Sequence, residues 1–400
     1  MSEAASEPLA RRGAAGRPRA ATMAVFFVHG LLFASWTAHI PQVKADLHLT
    51  DGSLGLALLG APLGAVSAIL LSAHLLPRLG SRRMVQAGLL GYCVAGPFVG
   101  VVGSLPGLFV ALFAWGGFQG ALDVSMNTQA IAVEHDRGRP LMSGLHGCWS
   151  IGSLAGAGIG TAGVAVGLTL SAQLVLLGAP VLVVVGWLAA QMLPDAKPAI
   201  ESPASRRRLR RFPRAVLVLG AIAFAALLCE GASADWASVY LRGPLHTSAA
   251  MAGLGYTAFL LTMVVVRLSG NRLLARFLIR RVLPILAGIA TVGFTAGLLD
   301  GDAVIAIAGF GCLGVGMALI VPTVFSTAGR LPGLSPGVAI ASVSACGWVG
   351  FVCGPPLIGG LASATSLPVA LGLLPLLTTS IVVSTALARA LRSDLPRRQP

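Results

Sequence analysis

Charge is what this chain lacks most. Only 10% of its 400 residues are Asp, Glu, Lys or Arg, against about 25% in soluble domains. Lysine occurs twice, at Lys44 and Lys197, tyrosine three times, and aromatic residues make up 6%. With 56% hydrophobic residues and a mean hydropathy of +0.84, the composition excludes a soluble globular protein. Several chemical signatures are missing too. There is no GxxxxGK[ST] phosphate loop and no HExxH metal site. Cys93, Cys148, Cys229, Cys312, Cys346 and Cys353 each lie in an apolar segment and none forms a CxxC pair. That pattern implies small packing residues, with no disulfide framework, metal or cofactor. No catalytic residue is expected, and an intramembrane enzyme built on Asp123 and His146 would leave the internal repeat described below unexplained.

What is present is a series of apolar runs of about 20 residues, the length that spans a bilayer. They fall at 22–42, 54–76, 84–103, 107–130, 141–165 and 171–193, then at 215–241, 250–274, 282–299, 303–326, 338–362 and 366–388. The fold class is therefore an all-α integral membrane protein of twelve transmembrane helices in two pseudo-symmetric six-helix bundles. The expected divisions are a disordered cytoplasmic tail (1–21), an N-terminal bundle (22–193), a basic cytoplasmic linker (194–214), a C-terminal bundle (215–388) and a cytoplasmic tail (389–400). The N-terminus has the basic flavour of a signal peptide. The apolar run after it is long for a cleaved signal and lacks a good small-x-small site, so it is expected to stay as the first helix.

A formal charge of +14 is in the range of nucleic-acid binders, but its distribution points elsewhere. With both termini inside, every Lys and Arg except Lys44, Arg242 and Arg267 falls in a tail or a cytoplasmic loop. That is the positive-inside pattern. The basic charge belongs to the lipid surface, and the chain is expected to be a multi-pass protein of the cytoplasmic membrane, monomeric, with no nucleic-acid partner.

The halves repeat with a shift of 198. Pro77–Arg83 falls on Ala275–Arg281, Leu47-His48 on Leu245-His246, Gly55 on Gly253, and Gly152 and Gly156 on Gly350 and Gly354. Parallel repeats imply a pseudo-two-fold along the membrane normal and a substrate site at midplane between the halves.

Polar residues inside the runs are few enough to weigh one by one. Gln119, Asp123 and Asn127 are four apart and share one helix face. An Asp near the middle of a span costs roughly 2.5–3.5 kcal/mol on the insertion scale, so it marks a bundle interior, a wet cavity or an ion path. A purely structural hydrogen-bond cluster is the competing reading, though it needs one polar residue rather than three. Asp123 is the first candidate for proton coupling, because burial favours the protonated form. In the fifth run, Ser143, His146, Ser150 and Ser153 form a polar stripe beside a small-residue row of Cys148, Gly152, Gly156 and Gly160. His146 is a second proton-exchange candidate.

His29 and Trp36, seven apart, share one side of the first helix and with Gln119, Asn127 and Ser150 are candidate solute contacts; a packing role for His29 fits equally. In the seventh run Glu230 is the better second carboxylate. Asp235 points about 140° away from it at 100° per residue and suits a gate, next to Trp236 as an interface anchor. Arg267 requires a carboxylate, a backbone carbonyl or a water path, and its position suggests a loop latch with Asn271 and Arg272.

These motifs resemble the major facilitator superfamily over nearly the whole chain. Arg78-Leu-Gly80-Ser-Arg82-Arg83 is similar to that superfamily's signature loop between helices 2 and 3, with Pro77 where an acidic residue is usual. The resemblance implies gating roles for Arg78, Arg82 and Arg83. Trp36–Pro41, Asp123–Asn127, His146–Ser150 and Asp235-Trp236 resemble a bacterial branch similar to the fucose–proton symporter type, which uses a helix 4 carboxylate. That type also has an acidic residue in helix 1, where this chain offers only His29 and His39. Gly350–Gly360 looks like the GxxxGPxxGG element that antiporters carry in helix 5; here it lies in helix 11, which argues against export. The expected function is secondary active transport of a small polar solute, sugar-like or another metabolite, by proton-coupled alternating access. The alternative is a proton-driven efflux pump for a drug or secondary metabolite, but a pump for apolar cargo wants an aromatic, apolar cavity and the candidate lining here is polar.

Overall fold

The computed structural model describes residues 7–138, 141–194, 214–331 and 336–387. These residues are helical almost throughout and contain no strand. In the first half of the chain lie α1 (Glu7–Ser35), α2 (Ile40–Asp46), α3 (Asp51–Leu58), α4 (Gly60–Leu79), α5 (Ser81–Ala95), α6 (Leu105–Arg137), α7 (Met142–Ala165) and α8 (Leu170–Ala189). In the second lie α9 (Arg214–Arg242), α10 (Ala249–Arg276), α11 (Ile279–Asp300), α12 (Ala303–Met317), α13 (Ile320–Ala328), α14 (Pro336–Ala364), α15 (Leu367–Leu371) and α16 (Leu373–Leu387).

Ten stretches are long and apolar enough to cross a bilayer, with α1–α2, α3–α4, α12–α13 and α15–α16 each counting as one. The other two passes are α5, which tightens into a 3-10 turn over Gly96–Gly100 around Pro97, and α7, whose glycines and serines lower its hydropathy.

Two expectations about boundaries change. Residues 7–21, expected to be a disordered tail, belong to α1. The helix passes through Pro18, whose carbonyl accepts from the Thr22 hydroxyl at 2.8 Å. The chain also forms two compact units that do not split at the linker alone: one comprises 1–39 and 57–199, the other 40–56 and 200–400. Residues 40–56, expected in the first bundle, thus group with the second half. The expected linker falls almost entirely, and the C-terminal tail wholly, outside the described residues.

The repeat holds in structural detail. The two non-glycine residues with positive φ among those described are His48 (49°) and His246 (51°), which are 198 apart. Each follows a helix C-terminus, where a left-handed residue ends the hydrogen-bond ladder. Their backbone N–H groups bond to Ala45 and Gly243, again 198 apart. The next helices start with Thr50 and Ser248 as side-chain caps. Ser104 caps α6 and its counterpart Asp302 caps α12, the latter accepting from Val304 and Ile305.

Within each unit the helices meet along small residues, as association in lipid requires. A methyl group on Gly152, Gly156 or Gly160 of α7 would strike the carbonyls of Phe27, Leu31 and Ser35 on α1. Gly116 and Gly120 of α6 lie equally close to Ala61 and Ala65 of α4. In the second unit Gly350 of α14 abuts Phe224 of α9. The large side chains fill what remains: Phe26, Tyr92, Leu108 and Trp115 in the first unit, Trp236, Tyr240, Phe259, Phe294 and Phe310 in the second. Val183, Trp187, Val292 and Leu299 are more than 60% exposed, as side chains facing lipid would be.

Candidate functional site

The α6 stripe forms as its spacing predicts, on an unbroken helix. Gln119, Asp123 and Asn127 are all half-buried. The Asn127 amide donates to the Asp123 carbonyl at 2.8 Å and reaches its carboxylate Oδ1 at 3.3 Å. On α7, His146 is exposed along its edge and interacts electrostatically with Asp123. Its ring meets Phe26 edge-on at 5.3 Å. An ionisable carboxylate, an amide donor upon it and an imidazole within its field therefore stand together in the first unit. Such a group can hold or release a proton while its neighbours bind a polar solute.

The other α7 residues divide. The Ser150 hydroxyl donates to the His146 carbonyl at 3.1 Å and is 7% exposed. Ser153 is fully buried, bonded to the Trp149 carbonyl and pressed against Gly30 of α1. The Ser143 side chain lies outside the described residues. The polar stripe thus turns from an accessible end at His146 into the α1–α7 seam.

His29 and Trp36 face the interior of the first unit. The indole of Trp149 donates to His29 Nδ1 at 2.9 Å, and Nε2 meets the Gln119 backbone carbonyl at 3.3 Å. Trp36 is 4% exposed and packs edge-on against Trp115 at 6.0 Å; Trp115 in turn stacks on Tyr92 at 5.1 Å. His39 is held by Gln173 Oε1 at 3.0 Å, and the same amide donates to the Ser35 carbonyl at 2.8 Å.

In the second unit Arg267 faces Glu230 of α9, Nη2 to Oε2 3.9 Å, and donates from Nε to the Ala318 carbonyl at 3.2 Å, a carboxylate and a carbonyl of the kind a membrane arginine requires. The Asn271 side chain lies outside the described residues. Tyr256 of α10, 2% exposed, feels the charges of Glu230, Asp235 and Arg267 together. Trp236, expected as an interface anchor, is fully buried, with no hydrogen-bond partner for its Nε1.

The signature loop turns at Gly80, whose φ of 78° suits glycine alone. Arg78 and Arg83 are exposed and Arg82 is half-buried. Sequence reasoning missed the residue behind the loop. The buried Gln129 of α6 donates to Ser81 Oγ at 2.9 Å and to the Leu193 carbonyl at 2.8 Å, joining α5, α6 and the end of α8. Its signal was a further polar residue in the same apolar run, two positions after Asn127.

Twelve helical passes with buried charge on their inner faces define a polytopic membrane transport protein. The sequence profile of the Major Facilitator Superfamily matches residues 21–241, and two relatives match nearly the whole chain. The membrane protein MosC of Rhizobium meliloti is 34% identical over 90% of this chain and 87% of its own length. An uncharacterised MFS-type transporter of Yersinia pestis is 32% identical over 91% and 94%. The chain belongs to the Major Facilitator Superfamily. Its fold is shared with the D-xylose-proton symporter (TM-score 0.69, 16% identity, 93% of this chain and 96% of that one). It is shared also with the nucleoside transporter NupG (0.65, 13%, 94% and 99%) and with FucP, the E. coli fucose:proton symporter (0.59, 20%, 92% and 97%).

Proposed function

We propose that the protein moves a small polar solute, a sugar-like compound or another metabolite, across the cytoplasmic membrane by alternating access coupled to protons. The observation that carries this reading is the Asp123–Asn127 pair, with its 3.3 Å contact, on a half-buried helix face within the field of His146. A carboxylate so placed can take a proton in one state and yield it in another. Gln119 and Asn127 offer the amide groups that recognise hydroxyls. That two proteins of the same fold are proton symporters for sugars supports the same direction. His29 and Trp36 act in this reading as the packed wall behind the site, and Glu230 as a second carboxylate.

The test is uptake by the purified protein in proteoliposomes under an imposed pH gradient, inside alkaline, against a library of radiolabelled sugars, polyols and nucleosides. Accumulation of one class above equilibrium, abolished by a protonophore, is the expected result. Accumulation under a gradient of the opposite sense, inside acidic, would instead establish the efflux alternative, since an antiporter takes solute in as protons leave.

A further inference from the structure

Arg267 sets a half-buried guanidinium within the apolar span α10, its side chain 25% exposed, and one of its partners has a cause in another helix. Its Nε donates to the Ala318 carbonyl at 3.2 Å. Ala318 lies in the two-residue break between α12, which ends at Met317, and α13, which begins at Ile320. Pro322, four residues further on, has no N–H, so the carbonyl of Ala318 is denied its helical donor. A backbone carbonyl without a partner is not tolerated at membrane depth. Arg267 supplies the missing donor, and Glu230 stands 3.9 Å from its Nη2. The corresponding positions of the first unit carry no such arrangement. The positions 198 residues earlier are Leu32, Ile69, Gly120 and Val124, and α6 runs unbroken from Leu105 to Arg137.

We propose that α12 and α13 form a hinge set by charge, in which Arg267 replaces the donor that Pro322 withholds and Glu230 holds the guanidinium in place. Neutralising Glu230 loosens the guanidinium, and α13 then moves more freely against α12. Arg267 is thus a positioning residue, acting on a helix rather than on the solute. Asp235 and Tyr256 share its electrostatic surroundings and set the background against which Glu230 acts. The proposal does not depend on Asp123; Glu230 belongs to both readings, but exchange over residues 318–328 reads the hinge without any transport, so its failure is distinguishable from a failure of proton coupling.

The experiment is hydrogen–deuterium exchange of the full chain in lipid nanodiscs, followed over peptides spanning residues 318–328. Arg267→Gln should raise exchange there about tenfold, the equivalent of one lost charge-assisted hydrogen bond, and Glu230→Gln should raise it less. Pro322→Ala restores a backbone N–H to Ala318, so the double variant Arg267→Gln/Pro322→Ala should return to wild-type exchange. Unchanged exchange in Arg267→Gln or in Glu230→Gln would overturn the hinge, as would a double variant as mobile as Arg267→Gln. If Arg267→Gln yields no folded protein, recovery of a monodisperse sample by adding Pro322→Ala supports the proposal, and continued failure counts against it.

Discussion

Two hydrogen bonds decide how His29 behaves. The Trp149 indole can only donate, so Nδ1 must offer its lone pair, and the ring proton sits on Nε2 facing the Gln119 carbonyl. A second proton would set N–H against N–H at Trp149. His29 is therefore a neutral tie between α1, α6 and α7, and the proposed proton coupling rests on Asp123 and His146 instead. Gln129 makes a comparable tie at the end of the helices where the signature loop has Pro77 in place of an acidic residue. A neutral amide, fully buried, holds Ser81 and the Leu193 carbonyl. Gln129→Ala should lower stability by about 1–3 kcal/mol, the cost of buried partners left unpaired. Gln129→Glu should be worse, since it keeps the shape but removes both donors and buries a charge. Thermal unfolding of the detergent-solubilised variants measures both, and a wild-type midpoint for either would mean the staple is idle. At this scale the sequence was informative about need and silent about partners. The four-residue spacing showed that Asp123 and Asn127 meet. The cost of a membrane arginine showed that Arg267 requires a carboxylate or carbonyl, but Ala318 and Pro322 lie more than 50 residues away on another helix, beyond the reach of local pattern.

At the scale of the helix, most of what the structure shows was legible. The row Gly152, Gly156, Gly160 was readable as a contact surface, and it is the seam between α7 and α1. Gly158 lies on the same helix with open space beyond its Cα. The pair makes a controlled comparison. Gly156→Ala pushes a methyl into the Leu31 carbonyl and should destabilise by about 1–3 kcal/mol, as overpacking does. Gly158→Ala meets nothing and should be neutral or gain up to about 1 kcal/mol of helix propensity. Equal melting temperatures for the two variants would show that the seam can yield. The ends of helices were less legible. Hydropathy stops α6 near residue 130, yet it continues to Arg137, and Glu134 there accepts from the backbone N–H groups of Leu141 and Met142 at the start of α7. Once a helix leaves the apolar layer, capping contacts fix its length, and hydropathy no longer reports it. The same reason hid the helical character of residues 7–21, which are polar and basic but continuous with an apolar helix.

For the whole molecule, the constant shift of 198 was visible in the sequence and recurs in backbone angles and helix caps, while the chemistry is unequal between the halves. The first unit has the polar stripe around Asp123; the second has the Glu230–Arg267 pair and a broken helix. Coupling is a property of the whole cycle, so it is tested by comparing two modes of turnover. Asp123→Asn keeps an acceptor oxygen for the Asn127 amide, now 3.3 Å away, and removes only the ionisable proton site. If Asp123 carries the proton, this variant should lose accumulation driven by a pH gradient. It should still exchange labelled for unlabelled solute across the membrane, because exchange moves no net proton. Asn127→Ala should fail differently. It removes a donor from Asp123 and a contact from the solute, weakening solute binding by about 1–3 kcal/mol, with whatever transport remains still proton-coupled. The two variants are thus separable by measuring counterflow and gradient-driven uptake on the same proteoliposomes. Full accumulation by Asp123→Asn would dismiss it as the carrier and leave Glu230 and His146 as the groups to test next, since both nitrogens of His29 are already committed within the fold.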